Sequence, residues 1–168
     1  MPSLDLAAPL EPLIGLGALK LLDNVFTVRR LMLDSLSRIE PNSLRQGAWE
    51  MAAVFSDWVR FSYQDTIHIY ALVFTGLIVQ IEVTGAYQGK VRGIGIGSTV
   101  RDVQRAFPEV TFDDEIVYVV DLDLHFVIDA EHDFNSLAEV ADNRVTAIRL
   151  CASQHSLTLG ATSLAFTS

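Results

Sequence analysis

Between residues 48 and 84 the chain carries four apolar runs, 48–55, 58–63, 66–74 and 77–84. They are separated by three connections of only two residues: Ser56-Asp57, Gln64-Asp65 and Thr75-Gly76. A link this short joins neighbouring antiparallel strands, because a parallel crossover takes a dozen residues or more. The runs are rich in Val, Ile, Phe, Tyr and Trp, the residues that fit a pleated, half-buried surface. In the second run Val59, Phe61 and Tyr63 alternate with Arg60 and Ser62. In the fourth, Leu77, Val79, Ile81 and Val83 alternate with Ile78, Gln80 and Glu82. An antiparallel meander with one buried face and one partly wet face is the expected outcome.

The flanking segments complete a plan that occurs twice. Residues 1–12 form a proline-containing lead-in, expected to be loosely held. Residues 17–38 read as a helix, with Leu19, Leu22, Phe26, Leu33 and Leu36 recurring at spacings near three to four. A turn at 85–89 and a short glycine-bearing strand at 91–96 follow. Thr99 and Asp102 fit a capping box that opens a helix at 100–107, closed by Pro108. Strands are expected at 110–112, 115–120, 122–129 and 144–151, with a polar loop at 130–143. The fold class expected is α+β: two αββββ-like modules, 13–88 and 89–151, with helices packed on antiparallel sheet and an uncharged tail at 152–168.

The stretch Gly89-Lys90-Val91-Arg92-Gly93-Ile94-Gly95-Ile96-Gly97-Ser98-Thr99-Val100-Arg101-Asp102-Val103 resembles a small bacterial module of short helix and meander. Such units are similar to those of the β-lactamase inhibitor protein and of outer-membrane assembly lipoproteins. They also resemble proteins encoded among toxin–immunity genes. The resemblance covers about residues 89–150 and implies a protein that binds and blocks another protein.

Charge narrows the partners. The chain has 12 Lys+Arg against 21 Asp+Glu, a net of −9, which disfavours nucleic acid. Residues 98–144 hold 12 of those acids and 3 bases, so this segment accounts for the whole net charge. The uncharged apolar stretch 66–81 contains His68, Gly76 and Gln80 and falls short of the roughly 20 apolar residues of a spanning helix. Asp5 and Glu11 have the wrong sign for a signal peptide, so no membrane partner and a cytoplasmic location are expected. The single cysteine, Cys151, excludes an internal disulfide.

Four motifs invite chemistry. The Gly93–Gly97 glycines precede a helix, as phosphate loops do, but lack the dinucleotide and P-loop spacings. They read as a turn needing positive φ. Asp121, Asp123 and His125 alternate along the expected strand 122–129 and would share a face. Alternate residues are about 6.5–7 Å apart, too far for easy ligation of one metal. Cys151 has only His155 nearby and reads as a buried, inert thiol. His68 lies mid-strand and reads as a core or interface histidine. No cofactor, metal or catalytic residue is assigned.

The leading functional expectation is a non-enzymatic binding protein, an immunity or inhibitor protein. It would dock an acidic face, made by Asp113, Asp114, Glu115, Asp121, Asp123 and His125, on a basic protein such as a toxin. The alternatives are a small metal-dependent hydrolase using Asp121, Asp123 and His125, and a structural homodimer joined through the apolar strands 66–74 and 77–84.

Overall fold

A computed structural model describes residues 4–26, 28–29, 45–46, 49–55, 57–113, 115–129 and 136–152. The described chain is mostly β, in two antiparallel sheets. The small one contains β1 (Leu10–Glu11), β2 (Gly15–Leu16) and β3 (Leu19–Lys20). The large one has nine strands: β4 (Arg45–Gln46), β5 (Trp49–Phe55), β6 (Trp58–Tyr63), β7 (Ile67–Leu72), β8 (Ile78–Thr84), β9 (Thr111–Asp113), β10 (Ile116–Val119), β11 (Leu124–Ile128) and β12 (Val145–Cys151). Its spatial order is β4-β5-β6-β7-β8-β12-β11-β10-β9. One helix lies wholly within the described residues, α1 (Val100–Ala106); Phe26, Val28 and Arg29 are also helical.

This architecture corrects the α+β expectation. Two helix-bearing αββββ modules are not what the chain forms. The two meanders are parts of one sheet, joined where β8 pairs with β12 in the register Thr84↔Ala147, Glu82↔Arg149 and Gln80↔Cys151. The expected helix 17–38 also fails at its start. Residues 15–20 are the paired strands β2 and β3, because the chain reverses at Leu13 (φ 63°) before β2 and again at Gly17 (φ 54°) between β2 and β3. The helical spacing of Leu19 and Leu22 reflects these reversals: Leu19 is buried and Leu22 exposed. A helical hydrogen bond runs from Arg29 N to Val25 O (2.9 Å), and residues 30–38 lie outside the described residues.

The lead-in is docked, not loose. Leu4, Ala8 and Leu10 are buried. Leu10 N donates to Lys90 O (3.2 Å), Gln88 N to Leu6 O (2.8 Å), and the Tyr87 hydroxyl to Ala8 O. This contact explains Gly89, where a Cβ would stand 2.0 Å from Ala8 O and 2.6 Å from the Tyr87 ring.

The sheet's alternation produces its two faces. On one, an apolar row crosses eight strands through Trp49, Tyr63, Ile67, Val83, Ile148, Phe126, Val117 and Phe112. Beside it run Phe61, Ile69, Ile81, Leu150 and Leu124. Phe107, at the end of α1, packs its ring 5.8 Å from Phe126, so the helix belongs to this core. Val100 and Val103 are fully buried. The capping box forms as the sequence indicates: Asp102 N donates to Thr99 Oγ1 (3.3 Å) and Thr99 N to Asp102 Oδ2 (3.1 Å).

Two local expectations change. Residues 91–96 make a tight turn closed by Val91 and Ile94, each N–H bonding the other's carbonyl at 2.9 Å, and not a strand. The expected strand 122–129 begins late: Val120–Leu122 is a 3-10 turn, Asp123 is left-handed (φ 44°), and β11 starts at Leu124.

Gly97 has φ +84° with open space where a Cβ would stand. The Gly97→Val protein is expected to lose about 1–3 kcal/mol through backbone strain alone. Urea unfolding measures it, and an unchanged midpoint would show that the turn relaxes without cost.

Candidate functional surfaces

Opposite the core face, a polar row runs across the same eight strands: Glu50, Ser62, His68, Glu82, Arg149, His125, Tyr118 and Thr111. Direct cross-strand pairing brings these side chains within reach of one another. Ser62 Oγ lies 2.9 Å from His68 Nδ1, and His68 Nε2 lies 3.5 Å from Thr84 Oγ1. Arg149 Nε donates to Glu82 Oε2, and the Tyr70 hydroxyl donates to Glu82 Oε1 (3.4 Å). Ser62, His68 and Glu82 are buried.

Ser62, His68 and Glu82 are the residue types of a nucleophile, base and acid, but the geometry is different. The carboxylate of Glu82 is engaged by Arg149 and Tyr70, and Ser62 is only 3% exposed. A nucleophile must meet substrate within a few ångströms of the base. The row instead satisfies its buried polar groups internally. Among the described residues one buried side-chain nitrogen lacks an acceptor, Arg60 Nε.

His125 stands opposite Arg149, with the Tyr118 ring edge-on at 4.9 Å and Cys151 Sγ 3.7 Å from its Nδ1. Burial lowers the pKa of His125, Arg149 lowers it further and Asp123 opposes. Burial pushes the Cys151 thiol up to about 11, with Asp123 adding to the rise. The thiolate is therefore scarce near neutral pH, which disfavours nucleophilic use.

The structure does not gather the acidic residues expected to form one face. Asp113 ends β9, and Glu115 lies in the turn to β10; Asp114 lies outside the described residues. Asp121 sits in the 3-10 turn and Asp123 caps it, at the other end of β10. Four strand residues separate the two groups, about 13 Å. Alternation along one strand fails as a guide because the chain turns at 120–123. Asp121 and Asp123 therefore do not share a strand face with His125. The metal reading loses its geometry with it, and no group of three His, Cys, Asp or Glu among the described residues is placed to hold a metal ion.

The homodimer expectation also changes. β7 and β8 are interior strands, paired on both sides, and their apolar face is core. The exposed apolar side chains at that end are in the connecting turn, Val73 and Phe74. The glycine turn offers no free helix terminus either, since Asp102 accepts from Thr99 there. Those hydrogen bonds hold the Asp102 carboxyl below the ordinary range.

Sequence reasoning missed a cleft of about 350 Å³ beside the 3-10 turn. Buried Phe107 and Val119 and half-buried Leu122 line it, with exposed Glu109 and Asp121. Arg92 closes one side, its guanidinium 5.0 Å from the centre of the Phe107 ring. Glu109 and Asp121 were visible as members of an acidic segment. Nothing in the sequence joins Arg92 and Phe107 to them, because the cleft is assembled from three separate loops.

Among the described residues no helix is long and apolar enough to cross a membrane. The chain matches no protein-family model, no curated protein sequence and no solved structure.

The two row histidines give a pH prediction. Burial lowers the pKa of His68 and of His125 from the ordinary 6.5, so the unfolded chain binds protons more readily than the folded one. Their contribution is complete above about pH 6.5 and is lost as pH falls from there through the lower folded-state values. The His68→Gln/His125→Gln protein is expected to show a shallower loss of stability between pH 7 and pH 5 in urea titrations. An unchanged slope would assign the loss to carboxylates instead.

Proposed function

We propose that this chain is a non-enzymatic binding protein, of the inhibitor or immunity kind, that engages a basic protein through the acidic ends of its second meander. One observation carries this reading: in residues 98–151 every arginine is held by an internal partner, while four exposed carboxylates make no ion pair among the described residues. Arg101 pairs with Asp142 (3.0 Å), Arg105 with Asp102 (3.4 Å), and Arg149 with Glu82. Arg144 donates to Gly97 O (2.9 Å). Glu109, Asp113, Glu115 and Asp121 are exposed and make no ion pair among the described residues. Uncompensated charge of one sign, held on a rigid sheet, raises the encounter rate with a partner of the other sign. A cytoplasmic setting, in which Cys151 stays reduced, suits the reading.

The two acidic ends replace the single patch expected from the sequence, so the partner need meet only one of them. The Asp113→Lys/Glu115→Lys/Asp121→Lys protein changes exposed sites and is expected to fold within about 0.5 kcal/mol of wild type. A partner captured from the source lysate should be basic. Its association with the variant should be at least about tenfold slower at low salt, with the difference shrinking as salt rises. Equal, salt-independent rates for the two proteins would contradict the reading.

A further inference from the structure

The cleft beside the 3-10 turn combines two features that one class of side chain satisfies together. Its floor is apolar: Phe107 is 3% exposed and Val119 8%, with Leu122 beside them. Its exposed lining carries two carboxylates, Glu109 and Asp121, neither in an ion pair among the described residues. Its one cation, Arg92, lies over the Phe107 ring. At about 350 Å³ the space is near the lower limit of small-molecule sites, roughly 300–1,000 Å³. It suits one long side chain better than a cofactor.

We infer that this cleft is an anchor site for a single lysine or arginine side chain of the partner. The side chain's methylene stem would lie on exposed Pro108 and half-buried Leu122, beside the Phe107 ring that Arg92 covers, and its charged head would meet Glu109 and Asp121. Lys and Arg bury their stems against apolar surface while keeping the charge in a polar rim. Binding energy at protein interfaces concentrates in such pockets, with the surrounding contacts excluding water. A purely apolar side chain would leave the carboxylates desolvated and unpaired, and a small cation would leave the floor wet. Val120, 64% exposed in the same turn, adds apolar surface for the residue flanking the anchor.

The inference rests on the basic-partner reading and is narrower than it, so its test reports location as well as binding. The probe is the blocked tripeptide acetyl-Arg-Arg-Arg-amide, titrated into ¹⁵N-labelled protein, with the tri-citrulline peptide as a neutral match of nearly the same shape. Saturable shifts are expected at the amides of Phe107, Val119 and Leu122 with the arginine peptide. They should weaken at least tenfold in Glu109→Gln/Asp121→Asn and be absent with citrulline. Both substitutions are at exposed positions, and the variant's own spectrum checks that it is folded. Shifts confined to residues 113–115 would overturn the anchor while leaving the acidic-partner reading in place. Equal shifts in the variant, or equal binding of citrulline, would also overturn it. The same holds if no shifts occur while charge reversal still slows the captured partner.

Discussion

The pairing of β8 with β12 is the contact on which the rest of the structure depends. It joins Gln80–Thr84 to Ala147–Cys151 across more than sixty residues of intervening chain. Without it the two meanders would be separate small sheets, each with an open edge and about half the core. The backbone ladder brings Val83 against Ile148 and Ile81 against Leu150 on the core face, and Glu82 against Arg149 on the other. A long closed loop costs entropy before its contacts form, so this junction forms against a larger loop-closure cost than either meander alone. Arg149 is tied to Glu82, and removing either partner would leave a part-buried charge beside His68 and His125.

Everything proposed about function hangs on the same junction. β12 holds β11, and β11 holds β10 and β9, so the acidic ends of the second meander are positioned only through it. α1 is tied to the strand as well: Val100 N donates to Asn143 O (3.0 Å) and Arg101 N to Ala141 O (2.9 Å), just before β12 begins. Phe107 therefore reaches the cleft from a helix fixed at its first turn. The polar row is consumed in holding the sheet, which leaves the loops at the strand ends for the proposed partner.

Local order was legible where chemistry is local. Two-residue links and alternating Val59, Arg60, Phe61 and Ser62 identify β5 to β8 without any tertiary information, and Thr99 with Asp102 identifies the start of α1. Three things were not legible. Gly17 and Leu22 lie in a segment whose apolar spacing matches a helix, and the positive φ at each breaks that pattern. Asp123 adopts φ 44°, which Asp tolerates better than most residues, so the alternation of Asp121, Asp123 and His125 concealed a turn. The order in which nine strands join depends on which apolar rows meet, and Ile148 carries no mark that it pairs with Val83 and not with another strand. The acidic segment was visible as composition; its division between two ends, and the cleft at one of them, arise from the turns.

Native-state hydrogen exchange tests the central claim, that one junction makes one cooperative sheet. The amides of Ile81, Val83, Ile148 and Leu150 should be among the slowest to exchange. Their opening free energies should match one another and the free energy of global unfolding, with protected amides of β6, β7 and β11 falling in the same unit. If the strands of residues 49–84 and those of residues 111–151 open as two units of different free energy, with β8 and β12 dividing between them, the account is wrong.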